Sequence, residues 1–122
     1  MVVVNKSEML LRSRTAVQLE LIQKFIHFMQ QELLPGCRVT GTIQTNFRNY
    51  SEMSAEEFLQ VYGSERAVHW TIEFAKEGEW AAISFQHLQQ SVDRGVAHNN
   101  FEPEKSQHFR QQVLRQLDVD LS

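Results

Sequence analysis

The feature that most constrains this chain is a pair of alternating runs between residues 68 and 88. Val68, Trp70, Ile72 and Phe74 alternate with His69, Thr71 and Glu73, and a second run follows from Trp80 to about Leu88. Alternation with period two places the apolar set on one side of a strand. Between the runs stands Lys76-Glu77-Gly78-Glu79, where a tight turn at Glu77-Gly78 pairs Lys76 with Glu79. Counting outward pairs Phe74 with Ala81, Ile72 with Ile83, Trp70 with Phe85 and Val68 with His87. A slip of one residue would mix the two faces, so the register enforces itself.

The apolar side of such a hairpin needs a covering layer, and three helical segments supply it. Thr15 followed by Gln18 reads as a capping box, and from there to Leu34 the apolar residues fall at helical spacing. Leu19, Ile22, Ile26, Met29 and Leu33 form one line, with Val17, Leu21, Phe25 and Phe28 beside it, and Pro35-Gly36 ends the segment. This apolar arc covers roughly half the circumference, more than contact with one sheet requires. The helix is therefore expected to pack on two partners, the second of which could belong to another chain. Ser54 and Glu57 form a further capping box for a short helix through Tyr62 that ends at Gly63. Pro103 suits the first position of a last helix, lined by Phe109, Val113, Leu114 and Leu117.

Cys37 to Phe47 reads as a half-buried strand. Val39, Gly41, Ile43, Thr45 and Phe47 point one way, and Thr40, Thr42, Gln44 and Asn46 the other. The expected order is α-β-α-β-β-α, with Val2-Val3-Val4 as a further possible edge strand. That is an α+β fold of two layers, a mainly antiparallel sheet of three to four strands with helices on one face. A length of 122 residues, 42% of them hydrophobic, suits a single domain over residues 1–122.

Several functional classes lose support at this level. The apolar stretch from Val17 to Leu34 is interrupted by Gln18, Glu20, Gln23, Lys24 and His27, so it falls short of the ~20 apolar residues a bilayer span needs. No secretory pattern opens the chain, and the lone Cys37 argues against an internal disulfide; the expectation is a soluble cytoplasmic protein without membrane attachment. A net charge of -3 disfavours nucleic acid, since the basic arm of Lys6, Arg12 and Arg14 is small. No glycine-rich phosphate loop occurs. The five histidines form no ligand-spaced motif, and Cys37 has no cysteine partner, so neither metal nor cofactor is expected. Cys37 follows a helix C-terminus, whose dipole disfavours a thiolate, and reads as a buried thiol.

Two groups of residues could carry function. The outer sheet face collects Thr40, Thr42, Gln44, His69, Thr71, Trp80, Ser84 and Gln86 beside Glu73. These are mostly uncharged hydrogen-bonding groups, a composition that suits either a solvated strand face or an interface. His69 and Glu73 share that face about 13 Å apart, too far for one to orient the other, and Ser84 near His69 has no carboxylate to complete a triad. The second group lies in the segment Gln89 to Glu102, read as a loop, where Asp93, Arg94, His98 and Asn99 are recognition-capable. His87, His98 and His108 could meet Asp93 only if this loop and the last helix folded back on the sheet. These residues lead to a small non-catalytic binding or interaction protein. It would act as a homodimer through the first helix or the polar sheet face, or through a protein partner. The alternative is a ligand binder or enzyme with its pocket between the sheet and the 89–102 loop.

Overall fold

A computed structural model describes residues 7–88 and 92–122. The hairpin forms in the register expected of it. Strand β4 (His69–Lys76) pairs with β5 (Glu79–Leu88), joining Lys76 to Glu79, Phe74 to Ala81, Ile72 to Ile83 and Trp70 to Phe85. The amide of His87 donates to the carbonyl of Val68 at 2.7 Å, extending the same ladder. At the turn, Glu77 (φ 51°) and Gly78 (φ 88°) both adopt positive φ, as a two-residue turn matched to strand twist requires.

Around this pair the sheet grows to seven antiparallel strands in the order β3-β2-β4-β5-β6-β1-β7. The remaining strands are β1 (Ser7–Ser13), β2 (Arg38–Gln44), β3 (Asn49–Ser54), β6 (Val92–Asn99) and β7 (Asp120–Leu121). The class is thus the expected α+β, but the strand number is not three to four. The extra strands carry little alternation: β3 reads Asn-Tyr-Ser-Glu-Met-Ser, and β6 faces the core with Asp93, Gly95, Ala97 and Asn99. Val2-Val3-Val4 lies outside the described residues. So do Gln89, Gln90 and Ser91, but most of the expected 89–102 loop is strand β6.

Helices α1 (Leu19–Phe28), α2 (Ala55–Ser64) and α3 (Pro103–Gln116) cover the inner face. Helix α1 begins at Leu19 rather than after Thr15, and no side chain caps it. Instead Val17 is buried ahead of the helix, and the Tyr62 hydroxyl of α2 donates to the Val17 carbonyl, holding the lead-in extended. After Phe28 the backbone continues as a π-helical turn over Met29–Leu33. The wide apolar arc of α1 is taken up within the chain. It packs between α2 and α3, with Phe25 edge-on to Phe74 at 5.7 Å and 5.9 Å from Phe109.

Strand β2 stops at Gln44. Thr45 Oγ1 accepts from the amides of Phe47 and Arg48, which turns the chain back into β3, so Phe47 is 94% exposed instead of inward. Ser54 caps α2 as expected, its hydroxyl accepting from the Glu57 amide.

Two glycines let aromatic rings lie flat on the sheet. A Cβ on Gly41 would stand 2.3 Å from Phe58, and one on Gly95 2.8 Å from the Phe85 ring. Gly41→Ala is therefore expected to destabilise the fold by about 1–3 kcal/mol in chemical denaturation. Combined with Phe58→Ala it should cost less than the sum of the two single changes, since both act at one contact.

Candidate functional site

The same strand register places the chemistry. Along β6 the side chains alternate, so Asp93 and Asn99 are buried on the inner side while Arg94 and His98 face outward. The four residues therefore do not form one surface. Asn99 and Asn100 act within the fold: Asn99 Oδ1 accepts from the Phe101 amide at 2.9 Å, and Asn100 ties Trp80 and Gly78 to the end of β6. His98 sits edge-on to Trp80 at 5.1 Å, and its Nδ1 is buried without a hydrogen-bond partner. His108 of α3 packs edge-on against Phe28 of α1 at 5.3 Å. Among the described residues no cluster of three or more His, Cys, Asp or Glu side chains could hold a metal.

His87 and Asp93 do meet. They are register partners on β5 and β6, and His87 Nδ1 lies 2.7 Å from Asp93 Oδ1. The carboxylate is almost fully buried and the imidazole about one-third exposed, so the pair points from the core toward an opening. That opening is a cleft of ≈ 350 Å³ between the lead-in to α1, the C-terminal end of α2 and the inner face of the sheet. Its apolar wall is aromatic. Trp70 stacks on Phe85 at 5.3 Å, and Tyr62 meets Trp70 edge-on at 5.8 Å. Its polar end holds Glu65, His87, Asp93 and Arg66, with Arg66 Nη2 3.4 Å from His87 Nε2.

This contact sequence assigns the imidazole tautomer. Asp93 accepts from Nδ1–H, which leaves the Nε2 lone pair facing the guanidinium of Arg66. Neighbouring Glu65 is engaged by the Tyr50 hydroxyl, which donates to it at 2.6 Å. Among the described residues no carboxylate lies within ion-pair distance of Arg66, although Glu65 and the buried Asp93 line the same cleft. Burial pushes the Tyr62 hydroxyl up to about 12, and the nearby Asp93 charge pushes in the same direction. Tyr62 is therefore a neutral donor, already used on Val17, and not an acid of the cleft. Cys37 is buried, and desolvation raises its thiol above the ordinary range.

The arrangement can orient an imidazole and attract an anion. Among the described residues its lining contains no serine, threonine or cysteine nucleophile. Of the sequence candidates, Thr40, Thr42, Gln44, His69, Thr71, Trp80, Ser84 and Gln86 all lie on the opposite, outer face. Arg66 and Tyr62 were not among them, and His87 meets Asp93 as strand partners rather than through a loop folded back with His98 and His108. The pairing is open to counting only once β6 is known as a strand, because Ala81 to Asn99 and His87 to Asp93 belong to one ladder. The chain matches no protein-family model, and no curated protein matches it significantly.

Tyr62 gives the site a signature at high pH. Between pH 10 and about 12 the folded chain keeps the Tyr62 proton while the unfolded chain releases it. The folded state then binds more protons, and stability falls as pH rises through that window, by up to about 1.4 kcal/mol per unit. Tyr62→Phe should lose about 1 kcal/mol near neutrality, where the bond to Val17 is missing, yet show a shallower alkaline decline. Denaturant melts at pH 7 and above pH 10 compare the two slopes.

Proposed function

We propose that this chain is a non-catalytic binding protein whose cleft takes a small molecule with a flat apolar body and one anionic group. The observation that carries the reading is the Arg66 guanidinium, outside any ion pair among the described residues, beside His87 at the mouth of a pocket walled by Tyr62, Trp70 and Phe85. Aromatic walls favour a planar ring, and a guanidinium favours a carboxylate through paired N–H donors. The buried Asp93 holds His87 in one tautomer, so the imidazole braces Arg66 rather than competing with it for the ligand. The pocket lies on the inner side of the sheet.

Thermal shift and calorimetry with benzoate and indole-3-acetate, each beside its neutral amide, test the proposal. The carboxylates are expected to stabilise saturably, by about 2.7 kcal/mol at a hundredfold excess over Kd, and the amides far less. Arg66 is exposed, so Arg66→Ala should leave the melting temperature of the free protein nearly unchanged while weakening carboxylate binding at least tenfold. Equal binding of acid and amide, or no saturable shift with either acid, would overturn the reading.

A further inference from the structure

The outer face of the sheet is left uncovered by every described element, and its charges are arranged in rows. Antiparallel register sets Thr42, Thr71, Ser84, Val96 and Leu10 side by side across β2, β4, β5, β6 and β1. This central row is uncharged, and Leu10 at its end is 54% exposed. On one side runs a row holding Glu73 and Glu8; on the other runs a row holding His69, Arg94 and Arg12. Arg12 and Arg94 are direct cross-strand partners, an unfavourable like-charge pair that Asp120 on β7 offsets only from one side.

We infer that this face pairs with the same face of a second copy, about a two-fold axis lying along the central row. Rotation about that axis lays the acidic row of each protomer over the basic row of the other. Glu8 then meets the partner's Arg12 and Glu73 meets the partner's His69, each contact occurring twice, as an isologous interface requires. A two-fold axis along the strands would instead set basic row over basic row, so the charge pattern selects one packing. Facing sheets are rotated by about 30°, which displaces the outer strands by a few ångströms, within reach of Arg and Glu side chains. Five strands at ~4.8 Å spacing and three rows of side chains about 6.6 Å apart give a footprint on the order of 500 Å² per protomer. The total, on the order of 1,000 Å², lies below the ~1,200 Å² of stable specific interfaces, so the dimer is weak, reversible and salt-sensitive. This inference concerns the face opposite the cleft and does not depend on what the cleft binds.

Sedimentation velocity on the full chain, in about 50 mM and about 500 mM salt, tests it. The wild type is expected to dimerise in the micromolar range at low salt and to dissociate as salt rises. Glu8→Arg and Arg12→Glu should each raise the dimer Kd at least tenfold, and the double exchange should restore it, because each new charge meets its opposite across the axis. Circular dichroism checks that all variants stay folded. A wild-type monomer at ~100 µM in low salt would overturn the proposal. So would a double exchange as weak as the single changes, or a dimer indifferent to all three variants.

Discussion

The antiparallel hydrogen-bond register running from β2 through β4, β5 and β6 to β1 is the constraint on which the rest of the molecule depends. Side chains alternate between the two faces along each strand, so one ladder decides every neighbour on both sides of the sheet. On the inner side it builds the row Ile43, Trp70, Phe85, Gly95 and Leu11, and then, one step further along β5 and β6, the His87–Asp93 pair. On the outer side it builds the uncharged row between a basic and an acidic one. The cleft and the open face are two readings of a single alignment.

Packing fixes that alignment through size contrast. Large rings are seated where the facing strand offers no Cβ, Phe58 on Gly41 and Phe85 on Gly95. Shifting either strand by one residue would drive a side chain into a ring and also turn buried aromatics toward water. Phe25 at the centre of α1 joins the layers, meeting Phe74 of the sheet and Phe109 of α3. The apolar arc of α1 is thereby occupied within the chain. The hairpin turn is tied down as well: Lys105 at the start of α3 bonds Glu79 at 2.9 Å and lies 5.0 Å above the Phe101 ring.

Legibility followed the strength of alternation. The β4–β5 register could be read residue by residue, because Trp70, Ile72, Phe74, Ile83 and Phe85 are large, apolar and evenly spaced. Strand β6 could not, because its inward positions are Asp93, Gly95, Ala97 and Asn99, which carry no hydrophobic signal. Those small and polar residues are there for reasons invisible in one strand: Gly95 makes room for Phe85, Asp93 answers His87, and Asn99 holds the Phe101 amide. Strand β1 was hidden by its mixed sequence, and β3 by a bulge against β2 at Gly41–Ile43 with Glu52 at φ 53°. Phe47 misled because alternation alone does not show where a strand stops; Thr45, capping the turn with its hydroxyl, is the residue that ends it. The outer-face residues were placed correctly, whereas the cleft was out of reach, since its parts come from five separate elements and approaches.

The most direct measurement is the pattern of long-range nuclear Overhauser contacts between β5 and β6 in solution. The account predicts cross-strand backbone contacts joining His87 to Asp93, Phe85 to Gly95 and Ile83 to Ala97. Contacts displaced by one residue would contradict it, because Asp93 would then leave the cleft and the charged rows of the outer face would trade places with the core.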